Sequence, residues 1–542
     1  MSAAILSAQP NVAEPGIPVT DPLVIAKCGA CHARDNQGNM QRISWERTTP
    51  EGWQEALKRM ILANGLSLTP SEARSIVKYL SAQHGLAPDE AKTVSYSAER
   101  RIHPENIVPN DRLEHACARC HTFARALIWR RSLDDWKQLA ADHAARYKLP
   151  ANEEAVAFLA KLAPLHTPEW DAWSARVHAP NLQGRWLVTA SLRGHGKYYG
   201  EMQVNPDADG DFTTRVRLTS VNDGSHIART GRGVVYAGYA WRGRSQGEQA
   251  GSSGRDSTPD NVLSEAREVL WISPDQSTAE GRWFWGQYQE FGFDVEMRRS
   301  SPDASHTPTL LLVDRSSLKT GSQANRVRLI GDGLPAQVSP ADLDFGPGAA
   351  VRRIISSTPN EVVAEVDVAA DAQPGKRDIG LQHFVLPGAL AIYDRIDYIK
   401  IVPDSAMAAF SDQAHPLGYQ QFEAIGYQRG PDGRLHTADD VELGPLDPKD
   451  VAWSLEVFYS APGASTDFLG KISPMGFFTP AEKSPNSNFD VWVVATAKDA
   501  MGKNGKPLVG KSYMVVTVPA YTLNGRRYVR DLDRWVDDGP SQ

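Results

Sequence analysis

Cysteine is scarce, with four residues in a chain of 542. All four sit in two short runs, so none is left for a disulfide, a thiolate nucleophile or a separate zinc site. Long apolar runs are missing as well. No stretch reaches the roughly 20 apolar residues that a membrane helix needs. There is no excess of positive charge. The formal net charge is -7, which argues against nucleic acid as a partner. No glycine-rich phosphate fingerprint occurs. Arg242-Gly243-Arg244 has a single glycine and reads as a solvated loop. No hydrolytic signature stands out either. His195, His226, His383, His415 and His436 are scattered and read as surface or hydrogen-bonded residues rather than metal ligands. Met1 to Pro10 lacks the charged start and apolar core of a signal peptide.

The two cysteine runs carry the chemistry. They are Cys28-Gly29-Ala30-Cys31-His32 and Cys117-Ala118-Arg119-Cys120-His121. Each is C-x-x-C-H, the attachment signature of c-type haem: two thiols form thioethers and the adjacent histidine faces the iron. A redox C-x-x-C pair does not explain a histidine at the same place twice. A four-cysteine zinc site would leave both histidines idle. Two covalently bound haems c are therefore expected, with His32 and His121 as iron ligands. Haem c is attached outside the bacterial cytoplasm. The expected compartment is the periplasm, with the signal removed or left out of this sequence.

The region up to about Ala175 reads as helical and duplicated. Trp53, Leu57 and Met60 share one helix face, with Thr49-Pro50 as cap and first turn. Trp136, Ala140 and His143 repeat the spacing behind Ser132. A second helix follows in each unit. Ala73, Ile76, Val77 and Leu80 form the first apolar face, opened by a Thr69-to-Glu72 capping box. Ala155, Phe158, Leu159 and Leu162 form the second. The units span roughly 20–90 and 103–170. The residue seven after each tryptophan can bind iron, so Met60 and His143 are the candidate sixth ligands. The other candidates are Met40 and His84 for the first haem, and His103, His115, His166 and His178 for the second. Methionine is the weaker donor and tends to raise a haem potential.

From about Pro180 the pattern becomes short β-type runs between turns. The length suits about three to four domains. The expected architecture is multidomain, α plus all-β. A dihaem cytochrome c domain over 1–175 comes first. An antiparallel β-barrel over 180–303 follows, more plausibly filled than hollow. Its runs include Val234 to Trp241, Glu268 to Ile272 and Gly281 to Gly286. An immunoglobulin-like β-sandwich over 307–388 is next. Leu386-Pro387-Gly388 reads as a linker, and a second sandwich occupies 389–542, ending in Arg526 to Gly539 as an arm or a tail.

With both haem motifs, Trp53-x6-Met60, Trp136-x6-His143 and this domain order, the chain resembles the α subunit of quinohemoprotein amine dehydrogenase. The likeness covers nearly the full length. It implies a periplasmic heterotrimer with a small γ subunit that carries cysteine tryptophylquinone and a β-propeller β subunit. Primary amines would be oxidised to aldehyde and ammonia at that quinone. Electrons would pass through the two haems to a soluble acceptor, a blue copper protein or a small cytochrome c. This chain has no cysteine to spare for a quinone, so no catalytic residue is assigned to it. Two other readings remain open: a dihaem cytochrome c subunit of another periplasmic dehydrogenase, and a dihaem peroxidase. The peroxidase needs an open distal site on one haem, and both units offer a sixth ligand.

Overall fold

The computed structural model describes residues 14–95, 98, 124–148, 152–176, 180–248, 258–300, 308–459, 465–483, 485–502 and 505–519. Cys117, Cys120, His121, His103, His115, His178 and the segment Arg526 to Gly539 lie outside the described residues.

The helical part is built twice from one plan. Helices α1 (Pro22–Cys28), α2 (Pro50–Asn64), α3 (Pro70–Gln83) and α4 (Pro88–Lys92) belong to the first unit. Helices α5 (Ala124–Leu127), α6 (Leu133–Tyr147), α7 (Glu153–Leu162) and α8 (Pro168–Ser174) follow. Thr49 and Ser132 cap α2 and α6 by accepting from Gly52 N and Asp135 N, and each helix has 15 residues. Thr49, Trp53, Met60 and Thr69 recur at one constant offset as Ser132, Trp136, His143 and Asn152. Asn152 accepts from Ala155 N and caps α7, as Thr69 caps α3.

The hydrogen bonds repeat too. Trp53 Nε1 and Thr48 N both donate to the His84 carbonyl, at 2.9 and 3.1 Å. Trp136 Nε1 and Arg131 N both donate to the Ala163 carbonyl, at 3.1 and 3.2 Å. His84 and Ala163 each follow the second helix of their unit. That helix has 14 residues in one unit and 10 in the other, so the lock survives a length change. Strand β1 (Glu46–Thr48) joins the units by pairing antiparallel with β2 (Trp129–Arg131), Arg47 opposite Arg130. The apolar faces meet as expected, with Trp53, Leu57, Ile76, Val77, Leu80 and Trp136 buried. Leu162, by contrast, is 39% exposed.

Eight strands close an up-and-down barrel: β3 (Gly184–Leu192), β4 (Gly196–Pro206), β5 (Phe212–Ser220), β6 (His226–Tyr236), β7 (Ala240–Gly247), β8 (Ala266–Ile272), β9 (Thr278–Trp285) and β10 (Phe291–Arg299), which pairs back onto β3. Closure removes the free edges that an open sheet would expose. Alternation sends Trp186, Met202, Trp241, Trp283 and Phe293 inward, where they are buried and fill the lumen. Gly233 makes room for one of them. A Cβ there would meet the Trp241 ring at 2.1 Å. Two ionisable side chains are enclosed as well. Glu268 accepts from Trp241 Nε1 at 3.0 Å and burial pushes its carboxyl above the usual range. Arg229 is held by Ser245 and by the Val262 and Ser264 carbonyls, and burial pushes it down to about 10.

Two sequence readings change here. The run Val234 to Trp241 is not one strand. It turns at Ala237 and Gly238, both at positive φ, and pairs Tyr236 with Ala240 as a hairpin. Arg242-Gly243-Arg244 is not a solvated loop but part of β7. Alternation points Trp241 and Gly243 into the barrel and Arg242 outward onto α2, where Glu51 neutralises it at 2.6 Å.

Two further sheets, of four strands each, enclose one core with Val327, Leu329, Val362, Ile379 and Leu390 and form the first sandwich. Leu386-Pro387-Gly388 is no linker. It lies inside the strand Phe384–Tyr393, with Gly388 at positive φ, so the sandwich continues past residue 388. The last stretch packs sheets around Phe422, Val491, Val493 and Met514 as the second sandwich. The helical part and barrel share one hydrophobic cluster that includes Trp53, Trp129, Tyr236, Tyr239 and Trp271. Lys78 and Arg74 of α3 both reach Asp211, at 2.6 and 3.1 Å, and Tyr239 donates to the Leu86 carbonyl at 2.9 Å.

Candidate haem centre

The first C-x-x-C-H begins where α1 ends. Asp21 caps that helix by accepting from Val24 N, and Pro22 sits in its first turn. Cys28 is its last residue and is half-buried, while Cys31 is exposed. The Cys28 carbonyl accepts from Cys31 N at 3.1 Å and from His32 N at 2.9 Å, so the motif is folded into one compact turn. Burial, and then the neighbouring Cys31, push the Cys28 thiol upward.

The His32 ring is half-buried and oriented. Its Nδ1 lies 2.8 Å from the Gln41 carbonyl, which can only accept, so Nδ1–H donates and Nε2 is the ring atom left to bind iron. This is the arrangement by which a ligating histidine is usually held by a second partner. The loop between them is stapled. Asp35 accepts from Gln37 N and Asn39 N at 2.9 and 2.8 Å, and Gln41 N donates to the Ala33 carbonyl at 2.9 Å. The Asn39 side chain and these backbone N–H groups hold the Asp35 carboxyl below its ordinary range. Two thiols and an imidazole oriented through its Nδ1 fit an attached haem.

The candidate sixth ligands stand on equivalent helices. Met60 on α2 is half-buried, and its sulfur lies 3.7 Å from Asn64 Nδ2. His143 on α6 is half-buried, with Nδ1 3.0 Å from the Leu139 carbonyl, so again Nε2 is the ring atom left to bind iron. Met40 is fully buried within the hydrophobic core. His84 is also fully buried, edge-on to Trp53, and burial pushes it down to about 3. His166 is taken up by the Pro15 carbonyl at 2.8 Å and the Trp170 ring. Elsewhere His195, His226 and His415 bond Asp260, Thr219 and Asp412. Among the described residues no group of three or more His, Cys, Asp or Glu could hold a further metal.

Between the units lies a charge cluster that the sequence pattern did not disclose. Arg131 of β2 bonds both Glu46 of β1 and Asp135 of α6, and stacks over Trp129 at 4.6 Å and Trp136 at 5.6 Å. Trp53 meets Trp129 edge-on at 5.9 Å, so Trp53, Trp129, Arg131 and Trp136 lie in successive contact from α2 to α6. Burial, then the Glu46 charge, raise the Asp135 carboxyl to about 6, even though Arg131 and Arg42 pull it down. Its folded value exceeds its unfolded one, so Asp135 adds stability below the ordinary aspartate range, and that stability is lost as pH rises through about 6. Asp135→Asn is expected to flatten that part of the pH dependence. Thermal melts of both proteins on either side of the window check it; parallel curves would contradict it. Such clusters are hidden in sequence because Glu46-Arg47 and Arg130-Arg131 look like ordinary solvated charges.

A duplicated helical unit with a C-x-x-C-H turn, joined to a closed barrel and two sandwiches, defines a multidomain haem-binding subunit. Family profiles agree along the whole chain. Residues 19–158 match the quinohemoprotein amine dehydrogenase α subunit haem-binding domain, 179–300 its domain II, 307–394 its domain III and 399–525 its domain IV. The chain belongs to the family of quinohemoprotein amine dehydrogenase α subunits. No curated protein matches it. Several solved structures show a distant likeness. A redesigned β-barrel is 14% identical, covering 22% of this chain and 94% of its own, at TM-score 0.18. Human protocadherin-24 EC1-2 is 14% identical, covering 39% and 98%, at TM-score 0.17. A SusE-like polysaccharide-binding protein from Bacteroides thetaiotaomicron is 8% identical, covering 62% and 68%, at TM-score 0.14. At such scores these likenesses carry no argument.

Proposed function

We propose that this chain is the electron-transfer subunit of a periplasmic quinohemoprotein amine dehydrogenase. It would carry electrons from a quinone in a partner subunit through two c-type haems to a soluble acceptor. The observation that carries the reading is the commitment of all four cysteines to two C-x-x-C-H motifs in a chain of this family. Bound haem supplies a one-electron couple. Cys28 and Cys31 would anchor the first and Cys117 and Cys120 the second. His32 and His121 would face the irons from one side, Met60 and His143 from the other. The oriented imidazoles of His32 and His143 support this. With two ligands from this chain neither iron would keep an open position, which would suit transfer without a change in ligation.

Amine oxidation to aldehyde and ammonia releases two electrons, one for each haem. The amine-oxidising quinone, cysteine tryptophylquinone, would reside in the small γ subunit, with a β-propeller β subunit completing the complex. A blue copper protein or small cytochrome c would take the electrons. The closed barrel and the two sandwiches exceed what two haems require and supply surface for these contacts. Purification of the native complex through this chain tests the partners. Two smaller chains, one staining for a redox-cycling quinone, are expected. A chain that purifies alone with both haems would overturn the partner assignment.

A further inference from the structure

Arg42 has the least ordinary backbone near the first haem motif. Its φ of 68° and ψ of -55° place it at the centre of a γ-turn of the rare, strained kind. The turn is closed by Ile43 N donating to the Gln41 carbonyl at 3.0 Å. That carbonyl is the same one that holds His32 Nδ1 at 2.8 Å. The strain therefore sits at the peptide that orients the axial histidine. A strained conformation of this kind persists only where the surroundings over-determine it.

The side chain shows what holds it. The Arg42 guanidinium lies 3.8 Å from Glu46, 3.8 Å from Asp135 and 3.3 Å from Asp142. Glu46 is on β1 of its own unit. Asp135 and Asp142 are on α6 of the other, and Asp142 immediately precedes His143. Asp135 is itself bound by Arg131, which also grips Glu46, so the contact extends into the buried cluster between the units. One residue thus links the carbonyl that orients His32 to the helix that presents His143.

We propose that Arg42 is a positioning residue that holds the axial histidine of the first haem and couples it to the ligand-bearing helix of the second. The inference rests on the dihaem reading given above. Hydrogen bonding of Nδ1–H raises the basicity of a ligating imidazole. Loosening the turn therefore alters the first haem more than the second. Lysine at this position keeps the charge but not the forked geometry that reaches several carboxylates at once.

The test uses the native complex with both haems attached. Haem content is measured first, then the two midpoint potentials and the solvent exchange of the His32 Nδ1 proton. In Arg42→Gln the spacing between the potentials changes and the Nδ1 proton exchanges faster. Arg42→Lys restores part of both. Asp142→Asn lies in the other unit, and its side chain is 56% exposed, so folding tolerates it. It should still speed exchange at His32, by less. Unchanged spacing and exchange with haem content intact would show that Arg42 is only a structural tie, even if the variant melts earlier. Equal movement of both potentials would reduce its role to bulk charge. A wild-type protein without covalent haem would overturn the dihaem reading, and this inference with it.

Discussion

Replacing Cys28 and Cys31 together with serine is expected to halve the covalent haem, leaving one per chain as measured by the haemochrome spectrum of the denatured protein. On the proposed function both thioethers of the first site would come from these residues, and no other cysteine lies outside the second motif. His32 alone would hold a haem only reversibly. Met60→Ala tests the other face of the same iron. It should leave covalent haem in place, remove the methionine-to-iron charge-transfer band and lower the potential of that haem, because methionine ligation raises it. Unaltered haem content in the double serine variant would contradict the first expectation. An unchanged spectrum in Met60→Ala would return the sixth position to Met40 or His84. The structure makes both of these harder to use, since each is sealed in the core while Met60 stays half-buried on the helix face.

The largest loss of stability is expected at Arg47. It is 0% exposed. Its guanidinium bonds both Glu90 oxygens, at 2.8 and 3.0 Å, and also the Leu165 and Gly85 carbonyls. It lies over the Trp170 ring at 4.7 Å. One side chain therefore ties β1 to α4 and α8. Glu90 is the complement: burial works against its charge, and the Arg47 and Arg130 guanidiniums still hold its carboxyl below the ordinary range. Arg47→Met would leave Glu90 buried with Arg130 at 3.4 Å as its remaining cation and would strand two carbonyls. Breaking a buried pair from one side costs about 3–5 kcal/mol. Arg47→Lys should recover only part, since a point charge cannot make the bidentate contact. Denaturant unfolding of the holoprotein measures both. A cost under about 1 kcal/mol, the range of an exposed ion pair, would contradict the account.

The parts that could be read from sequence were those with a local signal. C-x-x-C-H is contiguous. Caps such as Thr49, Thr69 and Ser132 precede their helices directly, and Trp53 and Trp136 sit at helical spacing from their partners. The barrel was legible because its aromatic residues alternate between glycine turns. What stayed hidden was nonlocal. Arg242 looks like part of a solvated basic loop until Glu51 is brought to it from α2. Leu386-Pro387-Gly388 looks like a break, yet the strand runs through it with Gly388 at positive φ. The hairpin at Ala237 was missed because alanine rarely takes positive φ, so an apolar run seemed continuous. Arg42, Arg47 and Arg131 are indistinguishable in sequence from surface arginines. Their roles come from carboxylates on other elements.

On the proposed function, electrons from a primary amine reach the haems of this chain. The most direct measurement is visible spectroscopy of the native complex on adding a primary amine. Rapid growth of reduced c-type bands, lost when the small subunit is removed, is the expected result. Haems that dithionite reduces but no primary amine does would contradict it and leave a dihaem subunit with a different donor.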